Sequence, residues 1–199
     1  MEKNRNFPIN NCTAIILAGG KSRRMSIDKK YLKIEGSFLL DRVISNVSKL
    51  FANVLISISD DVNYKHKNIK IVRDTFIGRG PLAGILSGLK NSSSERNFII
   101  AGDIPEISID LISELYSYAE KYEIVVPRSS EKKLEPLYGF YNKSIIPNLE
   151  ESLLTGNNKV IEVYNHVSLK IVDMKKSAWF FNLNTESDLS GYLSYLKAK

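Results

Sequence analysis

The sequence predicts an α/β fold in which a mostly parallel sheet is covered by helices on both faces, and three observations predict it. Short apolar runs rich in β-branched residues alternate with amphipathic segments of helical period. The polar residues that look chemical, the Gly19-Gly20 loop, Asp74 and Asp103, each stand where such a run stops. The 199 residues, 43% hydrophobic, suffice for one buried core, and no Pro/Gly/Ser-rich linker or internal repeat divides them.

Residues 1–12 are expected to be a flexible leader, and 13–199 a single domain. Thr13 to Ala18 reads as the first strand because β-branched residues fill a short run closed by paired glycines. Phe38 to Leu50 then places Leu39, Leu40, Val43, Ile44, Val47 and Leu50 on one helical face. Val54 to Ser59 and Ile69 to Val72 are the next strands, followed by a helix from Leu82 to Leu89 with Pro81 near its start. Phe98 to Ala101 is the fourth strand, and Ile109 to Tyr118 the third helix. This alternation implies parallel pairing.

The second half is less regular. Ile124 to Pro127, Leu137 to Tyr141 and Leu169 to Val172 read as strands, and Ser144 to Leu154 as a helix. A last helix begins after Thr185, whose hydroxyl caps it with Asp188 in the acidic position of a capping box. Trp179, Phe180 and Phe181 are expected to pack against the sheet, and Tyr116, Tyr118 and Tyr122 are packing residues as well.

Net charge is +6 and the pI is near 9.2, but the positive charge is spread out, which favours a nucleotide over nucleic acid. The single cysteine, Cys12, excludes an intramolecular disulfide, and His66 and His166 are too far apart in sequence to suggest a zinc cluster. The polar N-terminus lacks a signal-peptide core, and no apolar run reaches the roughly 20 residues that span a bilayer. A soluble, cytoplasmic protein is expected, with no membrane partner.

The first strand runs into Leu17-Ala18-Gly19-Gly20-Lys21-Ser22-Arg23-Arg24-Met25, followed by Asp28-Lys29-Lys30. Glycine lets a backbone approach phosphate oxygens, and the cations beside it would repel one another without an anion. Gly20-Lys21-Ser22 matches the end of a Walker A loop, but the earlier glycine position is Ile15, inside the strand. The G-x-G-x-x-G dinucleotide fingerprint also fails, since Lys21, Ser22 and Arg23 follow an adjacent pair. In open parallel sheets ligands bind beyond the carboxyl ends of the strands, which brings Asp74 and Asp103 toward this loop. Asp103, before Ile104-Pro105, offers a hard oxygen ligand for magnesium, although a strand-end aspartate is equally at home as a turn or cap residue. Asp74 suits a contact near base or sugar, and Lys29 is spaced to return its ammonium to the phosphates. Gly78, Gly80, Pro81 and Gly84 make a second glycine-rich turn at a helix start, suited to close approach by a flat base.

With Gly80-Pro81-Leu82-Ala83-Gly84, Gly102-Asp103-Ile104-Pro105, Glu135-Pro136-Leu137-Tyr138 and Phe181-Asn182-Leu183-Asn184-Thr185 added, the chain resembles the molybdenum cofactor guanylyltransferase (MobA-like) family of the nucleotidyltransferase superfamily. The likeness runs from about Thr13 to Leu189. It implies a three-layer, Rossmann-like nucleotidyltransferase fold and transfer of GMP from GTP to the terminal phosphate of molybdopterin, releasing pyrophosphate. It further implies that Leu17, Ala18, Gly19 and Gly20 contact GTP through their backbone and that Lys29 neutralises phosphate. Asp74 would contact the nucleotide, Gly80 would lie by the guanine, and Asp103 would bind both nucleotide and Mg²⁺, with Arg23 and Lys29 as its catalytic companions. The pterin pocket would involve Pro136 to Tyr141 and Asn182 to Asn184, although Tyr138 and Tyr141 also suit a core. Proteins that deliver molybdopterin and molybdoenzymes that receive the product are the implied partners. Two residues depart from the family pattern: Ser26, where glycine is usual, and Ser59, where asparagine often stands. Cytidylyl transfer to molybdopterin, nucleotidyl transfer to a sugar or alcohol phosphate, and a non-catalytic nucleotide-binding regulator remain alternatives.

Overall fold

The structure is a computed structural model that describes residues 7–19, 32–59, 66, 68–130, 133–174 and 181–198. In chain order its strands are β1 (Ile9–Leu17), β2 (Lys33–Ile34), β3 (Ser37–Phe38), β4 (Phe51–Ile58), β5 (Lys70–Arg73) and β6 (Arg96–Ala101). They continue with β7 (Ile124–Ser130), β8 (Lys133–Leu134), β9 (Tyr138–Asn142) and β10 (Leu169–Asp173). The helices are α1 (Leu39–Ser48), α2 (Pro81–Asn91), α3 (Ile109–Tyr116), α4 (Ile146–Leu154), α5 (Val160–Val163) and α6 (Glu186–Lys197).

The main sheet runs β10-β7-β9-β6-β1-β4-β5, with β8 beside β7. Strand β1 pairs in parallel with β4 and β6, and β4 with β5. Strand β9 runs against both of its neighbours, β6 and β7, while β10 is parallel to β7. The mostly parallel sheet is as expected. The reversal at β9 is a finding that periodicity could not give, since apolar spacing carries no strand direction.

Alternate residues of the buried strands feed two cores, one on each face. On one side Ile16, Ile56 and Phe98 meet Val43, Ile44 and Val47 of α1 and Ile112 and Leu115 of α3. On the other, Ile15, Leu55 and Ile99 meet Leu82, Ile85, Leu86 and Leu89 of α2 and Leu149 and Leu153 of α4. The result is three layers. A third, smaller cluster joins Leu32, Ile34 and Leu39 to Leu183 and Tyr192, docking α6 on the hairpin formed by β2 and β3.

Three differences from the sequence reading have physical causes. Strand β1 begins at Ile9, not Thr13: Ile9 pairs with Phe51 and Cys12 with Arg96, and both Ile9 and Cys12 are buried, so residues 9–12 belong to the sheet and not to a leader. Strand β7 continues through Pro127 to Ser130, because its pairing with β9 is registered at Ile124 and Val125 and the Pro127 carbonyl accepts a bond from Glu135 N at 2.9 Å. Close packing of β9 on β7 is allowed by Gly139, whose absent Cβ would lie 2.5 Å from the Val125 carbonyl oxygen. Phe181 packs on the rings of Tyr192 and Tyr195 at 5.1 and 5.0 Å, away from the sheet, while Trp179 and Phe180 lie outside the described residues. The capping box at Thr185 and Asp188 is present as expected. Tyr116 packs its ring on Phe140 at 5.4 Å, and Tyr118 and Tyr122 border the same core. No described helix is long and apolar enough to cross a membrane.

Candidate functional site

Parallel strands that end at one level set the site. Leu17 is in register with Ser57 of β4 and with Ala101 of β6. Beyond them the chain stays stitched: Ala18 N donates to the Ser57 carbonyl at 2.8 Å, Gly102 N to the Leu17 carbonyl at 2.9 Å, and Asp74 N to the Ile58 carbonyl at 3.0 Å. Ala18, Gly19, Asp74, Gly102 and Asp103 therefore leave the sheet along one edge, the carboxyl edge where doubly wound sheets bind ligands. Leu17 itself is buried and ends the strand.

Gly19 is exposed and passes tightly over Ser59, where a Cβ would lie 2.4 Å from Ser59 Oγ and 2.9 Å from Ser59 N. The serine at position 59 is thus a packing surface for the loop. Gly20, Arg23, Ser26 and Lys29 lie outside the described residues.

Asp74 is half-buried, and Ser57 Oγ donates to its Oδ1 at 2.6 Å. Helix α2 presses on this pair, since a Cβ on Gly84 would stand 3.2 Å from Leu17 Cδ2, 3.5 Å from Ser57 Oγ and 3.7 Å from Asp74 Oδ1. The Thr75 N–H is taken by Ser87 Oγ at 3.2 Å, which fixes the turn after β5 to the same helix. Gly80 caps α2 with φ +68°, a conformation that disfavours a side chain, and Pro81 follows as the first helical residue. Gly80 is exposed, with open space on its Cβ side. The helix therefore turns its N-terminal dipole to the same edge. At its other end, Lys70 and Lys143 donate to the Asn91 and Ser92 carbonyls at 2.9 and 2.6 Å.

Asp103 is half-buried at the end of β6, and its backbone is held from across the molecule by Leu183 N, which donates to the Asp103 carbonyl at 3.0 Å. With its NH₂ turned to the acid, the Asn182 amide lies 3.1 Å from both Asp103 carboxylate oxygens. The Asn184 and Thr185 N–H groups donate to Asp188 Oδ2 at 3.0 and 2.8 Å, so the α6 cap also fixes the asparagine turn. A carboxylate tethered in this way suits Mg²⁺, which takes one or two carboxylates and completes its shell with other oxygen ligands and water.

Because β9 runs backwards, its start lies at this edge, and the Leu137 carbonyl accepts from Ala101 N at 3.0 Å. Pro136 and Leu137 thus reach the site. Tyr138 and Tyr141 do not: both are wholly buried, with Tyr138 Oη accepting from Ser108 N at 3.3 Å and Tyr141 Oη donating to the Pro136 carbonyl at 2.7 Å. Burial pushes both phenols well above their ordinary value of 10.0. Their place in the expected pterin pocket is corrected to a core role. Sequence reasoning missed Ser57, whose one signal was a hydroxyl in the last turns of an apolar strand.

A family model described as the MobA-like NTP transferase domain matches residues 14–169, from β1 to the first residue of β10. The chain belongs to the MobA-like NTP transferase family. This MobA-like chain is 35% identical over 201 residues to a probable molybdenum cofactor guanylyltransferase of Natranaerobius thermophilus, with 94% of this chain and 97% of that protein covered. It is 32% identical over 196 residues to another, from Carboxydothermus hydrogenoformans, covering 95% and 98%. Its fold is similar to that of molybdopterin-guanine dinucleotide biosynthesis protein A from Archaeoglobus fulgidus, with a TM-score of 0.80, 22% identity and coverage of 94% and 100%.

Proposed function

We propose that this MobA-like chain transfers GMP from GTP to the terminal phosphate of molybdopterin in the cytoplasm, giving the guanine dinucleotide cofactor and pyrophosphate. The observation that carries the reading is the juxtaposition at one sheet edge of a glycine turn, the Ser57-supported Asp74 and the doubly tethered Asp103. The relatives named for this reaction supply the two substrates.

An oxygen of the molybdopterin phosphate attacks the α-phosphorus of GTP. The new P–O bond forms as the bond from that phosphorus to the bridging oxygen breaks, and the electron pair leaves with pyrophosphate. The attacking oxygen is already largely ionised near neutral pH, so no strong general base is needed. The protein's task is to align two anions and to neutralise them. Ala18, Gly19 and Gly20 supply backbone to the triphosphate, Lys29 and Arg23 supply charge, Asp74 orients the nucleoside, and Gly80 leaves room for guanine. Asp103 would hold Mg²⁺, which supplies charge stabilisation on the phosphates. Asn182 and Asn184, with Pro136 and Leu137, border the side from which the pterin substrate would enter.

Mg²⁺-dependent pyrophosphate release, measured with GTP or CTP and with or without molybdopterin, tests this reading. GTP turnover that requires molybdopterin is expected. Equal or better turnover with CTP overturns the guanine assignment, and GTP binding without molybdopterin-dependent release overturns the enzyme assignment. Asp103→Ala should abolish turnover while the protein stays folded by circular dichroism, since the change removes a half-buried carboxylate and opens no core cavity.

A further inference from the structure

The segment that follows Asp103 carries a second tie to the C-terminal part of the chain. Glu106 Oε1 accepts from Tyr192 Oη at 2.6 Å, and Arg42 Nη2 donates to the same oxygen at 3.4 Å. Arg42 also donates to Glu35 Oε2 at 2.9 Å, and its guanidinium stands 5.7 Å from the centroid of the Tyr192 ring. Between Asp103 and Glu106, the Pro105 carbonyl accepts from Asn46 Nδ2 at 2.8 Å. Tyr192 is wholly buried in the cluster that docks α6, and a buried phenol needs a partner for its hydroxyl. Helix α6 is joined at its start to the turn that sends Leu183 N to the Asp103 carbonyl and the Asn182 amide to the Asp103 carboxylate. Residues 103–106 and 182–192 are thus fastened to each other at both ends.

From this we infer that Tyr192 is a positioning residue for Asp103, acting through Glu106. The Tyr192–Glu106 bond fixes how far α6 sits from the loop after β6, and that spacing sets the Asp103 carboxylate against Asn182. The inference rests on the assignment of Asp103 as the metal-binding carboxylate. The hydroxyl-to-carboxylate contact is short, and its loss from a buried site costs more than that of an ordinary surface bond. Tyr192→Phe keeps the ring among Phe181 and Tyr195 and removes only that contact.

The test measures Mn²⁺ binding directly, by the electron paramagnetic resonance signal of the free ion, in the presence of a GTP analogue with a non-cleavable α–β bridge. Tyr192→Phe should weaken Mn²⁺ binding about tenfold, as loss of support behind a metal ligand typically does, with the Mg²⁺ needed for half-maximal turnover rising in parallel. Tyr164→Phe is the control, since Tyr164 is a buried phenol bonded to Tyr141 Oη at 3.1 Å in the core on the opposite face of the sheet. It should leave Mn²⁺ affinity unchanged. If Tyr192→Phe does not accumulate as folded protein, Glu106→Ala, which removes the acceptor, is measured with the same expectation. A wild-type Mn²⁺ affinity in the Tyr192 or Glu106 variant, or an equal loss in Tyr164→Phe, overturns the inference. Asp103→Ala separates the two levels: metal-dependent turnover surviving in that variant defeats the site assignment itself, whereas its loss beside an unshifted Tyr192→Phe defeats the positioning role.

Discussion

Ser57 Oγ and Asp74 Oδ1 stand 2.6 Å apart, joining the end of one strand to the first residue beyond its neighbour. The serine is buried and the aspartate half-exposed, so the bond fixes an acidic residue that solvent still reaches. Ser57→Ala should remove this bond from Asp74 and raise the KM for GTP about tenfold, the equivalent of one charge-assisted hydrogen bond, with kcat nearly unchanged. Steady-state kinetics against GTP at saturating Mg²⁺ checks this, and a fall in kcat with KM unchanged would remove Asp74 from nucleotide binding.

At Gly19 the constraint is steric. A Cβ there would enter the space of Ser59 Oγ and approach its backbone nitrogen at 2.9 Å, so Gly19→Ala must push the loop off the sheet edge. Gly19 is exposed, so thermal stability should drop by less than about 1 kcal/mol while GTP affinity falls by an order of magnitude or more. Calorimetric melting and nucleotide titration on the same sample separate the two effects.

A pH dependence follows from Glu123, whose carboxylate accepts from Ser168 N at 2.9 Å and Ser144 Oγ at 2.7 Å. Those bonds, the Ser168 backbone first, hold its carboxyl below the ordinary value of 4.5. The folded state therefore binds the proton more weakly than the unfolded chain does. The stabilisation is complete above 4.5 and is lost as pH falls through the lowered value. Glu123→Gln should melt below the wild type at pH 7, and the gap should close as melts are taken at successively lower pH below 4.5. A gap that widens in acid contradicts the assignment.

Much of this was legible in the residues. The apolar runs of β1, β4, β5 and β6 are short and β-branched, and each ends on the polar residue that later lines the edge, so the parallel half of the fold and the placement of Asp74 and Asp103 could be read directly. The reversed β9 could not, because Tyr138 to Tyr141 is apolar on both faces in either direction. The same ambiguity concealed that Tyr138 and Tyr141 are core residues, since an aromatic beside a site motif looks alike whether its hydroxyl meets ligand or backbone. Residues such as Glu106, Arg42 and Tyr192 carry no local signal. They come together only when α6 folds back on the hairpin of β2 and β3, a contact between segments far apart in the chain.

Cys12 lies wholly buried in β1, and burial pushes its thiol up to about 12. The chain holds one cysteine, so the folded protein presents a surface silent to maleimide dyes without any prior mutation. Ile77 is 81% exposed in the turn just ahead of α2, so Ile77→Cys would place one reactive thiol there and turn the chain into an optical sensor of nucleotide arrival.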